Sequence, residues 1–123
     1  MKILQKICFV LLLGTISSVY GGDCFEDIDF DDCREKAEQG DVVAQGVLGV
    51  LYAKGQGVSK DYKEAVKWYR LAAEQGHSKA QYNLGLMYAL GHGVIKDYVI
   101  AHMFWDIAAV SGDKSAIENR GIV

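Results

Sequence analysis

A block of 36 residues occurs twice in tandem, and no other feature constrains the fold so tightly. Residues 41–76 align with residues 77–112 without a gap, and 16 of the 36 positions are identical; unrelated segments would share about two or three. Ala44-Gln45 matches Ala80-Gln81, Leu48-Gly49 matches Leu84-Gly85, and Tyr52-Ala53 matches Tyr88-Ala89. The Gly-x-Gly-Val segment at 55–58 recurs at 91–94, followed by Lys-Asp-Tyr at 60–62 and 96–98. A short unit reused in register buries its apolar face against its own neighbour, so the expected fold is a stacked array.

Each unit reads as two helices. Asp41 can cap a first helix running to about Lys54, with Gly55 at the left-handed position beyond its end. Ala44, Leu48, Leu51 and Tyr52 recur at three- and four-residue spacing and give that helix one apolar face. The Gly-Gln-Gly-Val turn breaks the chain. A second helix then starts at Lys60-Asp61 and stops at Gly76, burying Tyr62, Ala65, Trp68 or Tyr69, and Ala72. The second unit repeats this over about 78–90 and 97–111. Gly49 and Gly85 sit inside helices, where glycine costs about 0.8–1.0 kcal/mol relative to alanine. A cost present twice implies close approach of a partner ring at both places. The fold class is therefore all-α, an α/α superhelix of two full repeats.

The ends read as half-repeat caps. Ala37-Glu38-Gln39-Gly40 echoes Ala73-Glu74-Gln75-Gly76, which makes residues 23–40 an acidic N-terminal cap with helix over 31–39. Residues 113–123 start a third first-helix, a C-terminal capping half-helix. Before these, residues 1–22 have the order of a signal peptide: Lys2 and Lys6, an apolar run over 7–13, then small residues to Gly22. The apolar run falls far short of the roughly 20 residues that a membrane span needs. Cleavage and export to the periplasm or beyond are expected, without membrane insertion afterwards. The mature chain then carries 11 bases against 16 acids. That balance argues against nucleic acid, which requires a basic stripe. In an oxidising compartment Cys24 and Cys33 can close a short disulfide loop, worth roughly 2.5–3 kcal/mol. This requires a turn rather than continuous helix between them; two free or intermolecular thiols are the alternative.

The spaced residues Ala-Gln-x-x-Leu-Gly-x-x-Tyr, Gly-x-Gly-Val-x-x-Asp-Tyr-x-x-Ala and Trp-Tyr-x-x-Ala-Ala-x-x-Gly, all within 44–76, resemble the Sel1-like repeat family. Residues 80–112 match again, with Phe104-Trp105 in place of Trp68-Tyr69. The resemblance implies a tetratricopeptide-like solenoid that scaffolds protein complexes, often exported in bacteria. A cysteine-rich exported subgroup is linked to β-lactam binding and hydrolysis, but neither full repeat here contains cysteine.

In such a solenoid the first helices line the inner side. The face left over from pairing is Val43, Val47, Val50 and Lys54 in unit one, and Lys79, Asn83, Leu86 and Leu90 in unit two. So apolar a face suits a groove that takes a peptide or helix from a partner protein. Other motifs carry less. Asp27, Asp29, Asp31 and Glu38 imitate calcium-loop ligands, but Asp32 replaces the glycine the loop requires. His77, His92 and His102 lack partners at metal spacing. Ser111 to Lys114 has the spacing of a β-lactamase nucleophile motif, yet Ser111 closes a helix where that serine opens one. No catalytic, metal or cofactor residue is assigned. The sequence reads as a non-enzymatic protein-interaction module of the cell envelope. An envelope enzyme of the β-lactam or cell-wall class and a self-stacking subunit are the alternatives.

Overall fold

The computed structural model describes residues 29–120, and six helices occur among them. They are α1 (Phe30–Glu38), α2 (Val42–Lys54), α3 (Tyr62–Glu74), α4 (Ser78–Leu90), α5 (Tyr98–Val110) and α6 (Lys114–Arg120). The proposed signal segment, Cys24 and Asp27 lie outside the described residues. No helix among the described residues is long and apolar enough to cross a membrane.

The helix ends follow from the repeated polar residues. Asp41 accepts a hydrogen bond from the Ala44 N–H at 2.8 Å, and Asp113 accepts from Ala116 at 2.9 Å. Asp61 and Asp97 accept from the N–H groups of Glu64 and Ile100, both at 3.1 Å. Each such cap is worth about 1 kcal/mol. At the other ends, Gly40, Gly76 and Gly112 take φ of 95°, 88° and 90°. The Gly76 N–H donates to the Ala73 carbonyl and the His77 N–H to the Ala72 carbonyl, the pair of bonds that defines a Schellman ending. The same two bonds recur at Gly40-Asp41 and Gly112-Asp113. At these three joints, α1–α2, α3–α4 and α5–α6, one residue finishes a helix and caps the next, which fixes the angle between the two.

Each helix packs on its neighbours in sequence, and α2 also touches α4 across the repeat boundary. Three apolar clusters follow one another along the array. Cys33, Ala37, Ala44, Leu48 and Leu51 form the first, under Phe30 and Trp68. The second joins Ala65, Val66, Tyr69 and Ala72 to Ala80, Leu84 and Met87. The third joins Ala101, Trp105 and Ala108 to Ala116 of α6. Of the paired rings, Tyr69 and Trp105 occupy the equivalent buried positions, while Trp68 and Phe104 lie half-buried beside them. A Cβ on Gly49 would stand 2.5 Å from the Tyr69 ring, and one on Gly85 would overlap the Trp105 indole. Close ring approach is the reason both glycines sit mid-helix.

Candidate functional site

Two glutamines tie consecutive units together. Gln45 donates from Nε2 to the Ala37 carbonyl at 3.2 Å, and Gln81 donates to the Ala73 carbonyl at 3.1 Å. Both side chains are buried, and each adds a second donor to a carbonyl that also accepts the Gly40 or Gly76 N–H at the end of the preceding helix. The repeated Ala-Gln pair is therefore a joint between units. It carries no sign of chemistry.

The joint holds α2 and α4 side by side, and a cleft of about 190 Å³ opens between them. Val43, Val47 and Val50 supply one wall, with Gly46 at its floor; His77, Lys79, Ala80 and Asn83 supply the other. The structure thus brings together five of the eight residues expected to line a groove. Lys54 and Leu90 lie outside the cleft at the helix ends, and Leu90 is 59% exposed. Leu86 is half-buried against the cluster formed by α5 and α6. The reason is rotational. The α4 stripe is split: Lys79 and Asn83 face α2, while Leu86 turns toward α5 and α6.

Sequence reasoning missed Gly46 and His77 as cleft residues. A Cβ on Gly46 would stand 3.1 Å from the His77 ring, so the missing side chain makes room for imidazole. In unit two the same two positions carry Tyr82 and Asp113: the large and small residues have changed places. That exchange was the available signal. His77 Nδ1 accepts the Ala80 N–H at 3.1 Å, in the capping place that Asp41 and Asp113 hold elsewhere. Accepting requires the neutral ring. Burial, and then the charge of Lys79, push the His77 pKa below its ordinary 6.5.

A pH effect follows. The folded state disfavours the protonated ring, so its contribution to stability is complete above pH 6.5. That contribution is lost as pH falls from there through the depressed folded value. Thermal melts followed by circular dichroism should show a midpoint that drops across this window in the wild type. His77→Asp, which keeps the cap but titrates near the ordinary carboxylate range of about 4, should move that drop to lower pH. An unmoved drop would remove His77 as its source.

Among the described residues no group of three histidines, cysteines or acids could hold a metal ion. Asp29 instead caps α1 through the Asp31 N–H at 3.0 Å, and Glu38 pairs with Arg34 at 2.9 Å. His92 stacks on Tyr62 in its turn, and His102 meets the edge of Trp105. Cys33 is fully buried in the first cluster.

The family model for the Sel1 repeat matches residues 42–77 and 78–113. The chain belongs to the Sel1 repeat family. The matched units start one residue later than those read from the tandem block, because the capping residue can be counted with either helix. Sel1 repeats are protein-interaction modules. Three solved structures share the fold over 76% of this chain. The protective antigen with an SLR fold from uropathogenic Escherichia coli is 40% identical, with a TM-score of 0.74, and this chain spans 20% of its length. The Sel1 repeat protein from Oxalobacter formigenes is 40% identical with a TM-score of 0.73, over 70% of its length. Cysteine rich protein B from Helicobacter pylori is 26% identical with a TM-score of 0.69, over 68% of its length. No curated protein matches this Sel1 repeat chain.

Proposed function

We propose that this Sel1 repeat protein is an exported adaptor whose inner cleft holds a segment of a partner protein in the cell envelope. The observation that carries the reading is the α2–α4 cleft. Three valines face it, Val43 is 47% exposed, and the polar groups His77, Lys79 and Asn83 stand opposite. An apolar wall facing a few polar groups suits an amphipathic segment, whose apolar anchors bury while its backbone and polar residues stay satisfied. Export rests on the signal-like order of residues 1–22, and in that compartment Cys24 and Cys33 form the disulfide that steadies the acidic cap. The adaptor is not an enzyme; nitrocefin turnover by the purified mature protein would favour the β-lactam alternative.

The cleft is tested by placing a photoreactive residue at Asn83 and, as a control, at Lys67 on the exposed side of α3. Crosslinking in the host should give a discrete adduct from position 83 alone. Val43→Asp should abolish that adduct while leaving the helical circular dichroism unchanged, since an acid in the first turn of a helix is electrostatically favourable. Equal adducts from both positions, or an adduct that survives Val43→Asp, would rule the cleft out.

A further inference from the structure

The two joints between units are not equally satisfied. In the first, Gln45 donates to Ala37, and its Oε1 accepts a hydrogen bond from Gln75 Nε2 at 2.7 Å. Gln75 also donates to the Leu71 carbonyl at 3.2 Å. In the second joint the residue equivalent to Gln75 is Ser111. Ser111 keeps the second of those bonds, donating from Oγ to the Ile107 carbonyl at 3.2 Å, but its side chain is too short for the first. Gln81 Oε1 is left buried with no partner among the described residues, in a side chain only 5% exposed. The orientation of this carboxamide is fixed, because its nitrogen must face the Ala73 carbonyl. A buried acceptor without a donor is destabilising, because its desolvation is not offset by a bond.

A cleft of about 290 Å³ lies at the same place. It opens between α3 and α5, on the side away from the inner groove. Gln81 and Leu84 of α4 lie below, Ala73 and Arg70 on one wall, Phe104 and Ile107 on the other. At the position equivalent to Phe104 the first unit carries the larger Trp68, which packs into the first cluster. Unit two has therefore exchanged two large residues for smaller ones, tryptophan for phenylalanine and glutamine for serine, around one orphaned oxygen. The first unit shows what chemistry completes such a joint: a carboxamide N–H set among apolar groups.

We propose that the α3–α5 cleft receives a glutamine side chain from a partner polypeptide, which donates to Gln81 Oε1 as Gln75 donates to Gln45. Apolar neighbours of that glutamine lie against Phe104 and Ile107. The site is separate from the inner groove and does not rest on it; Val43→Asp leaves it intact.

The test is a nitrogen-15 NMR titration of the purified mature protein with the blocked tripeptide Ac-Leu-Gln-Leu-NH2 and with Ac-Leu-Met-Leu-NH2. Methionine matches glutamine in shape and lacks the donor. The glutamine peptide should shift the Gln81 side-chain amide, and the methionine peptide should bind at least about tenfold more weakly, since a site with a buried acceptor rejects a ligand that leaves it unpaired. Ser111→Gln, at an exposed position, should rebuild the joint of unit one. It should raise the melting midpoint by roughly 4–8 °C and remove the binding. Phe104→Trp provides a second closing variant. Equal affinity for both peptides, binding that persists in Ser111→Gln, or no shift up to roughly 10 mM peptide would overturn the proposal.

Discussion

Gly85→Ala is expected to destabilise the protein by about 1–3 kcal/mol, although alanine is the better helix former by about 1 kcal/mol. The sign is decided by the Trp105 indole. An added Cβ would lie 2.6 Å from its Cδ1 and closer still to its Nε1, with the Ala101 carbonyl oxygen 3.1 Å away. Trp105 is 8% exposed and cannot swing into solvent without opening the third cluster. Moving it also stretches the bond from its Nε1 to the Tyr82 carbonyl, 3.2 Å in the native fold. Overpacking costs about 1–3 kcal/mol and a lost hydrogen bond about 0.5–1.5, together exceeding the propensity gain. Urea denaturation read by tryptophan fluorescence measures the difference. Trp105→Phe in the same chain should recover part of the loss, because the smaller ring vacates the contested space. A Gly85→Ala protein as stable as the wild type would mean that ring contact is not what keeps glycine there. Gly49→Ala should behave alike but more mildly, since the Tyr69 ring makes no hydrogen bond among the described residues.

That glycine shows how the sequence carried the architecture. A cost incurred twice at one repeat position pointed to a close ring before any helix was placed. The same register located the elements: helices expected from the Asp41 cap to 54 and over 60–75, 78–90 and 97–111 form at 42–54, 62–74, 78–90 and 98–110. Asp61 and Asp97, read as the start of the second helices, are caps standing one residue outside. Local chemistry sufficed for this, because caps, glycines and apolar spacing act within a turn or two. The groove was less legible. Which stripe of a first helix faces its neighbour depends on the rotation between successive units, and that rotation is set by the Schellman joints rather than by any helix alone. Leu86, which the spacing alone places on an open face, packs instead against the cluster formed by α5 and α6. The outer cleft required a finer comparison. Gln75 and Ser111 are a non-identical pair within the tandem block, and the consequence falls on Gln81, thirty residues from Ser111 in sequence.

The same asymmetry makes the two central leucines a matched pair with unequal costs. Leu48 and Leu84 are equivalent, both are fully buried, and each loses the same transfer free energy when cut to alanine. They differ in what surrounds the void. Around Leu48 the first cluster is closed by Trp68, so deletion leaves an enclosed cavity whose lining loses its contacts outright. Leu84 borders the α3–α5 cleft beside the smaller Phe104, so the space it leaves merges with a volume already open to solvent. Leu48→Ala should therefore cost about 4–5 kcal/mol and Leu84→Ala about 2–3, the two ends of the range for such deletions. Chemical denaturation of each variant gives the difference directly. Introducing Phe104→Trp beside Leu84→Ala should move its cost toward that of Leu48→Ala by closing the cleft over the void. Equal costs in the two single variants would show that the outer cleft is sealed in solution, and that the joints between units are packed alike despite their different residues.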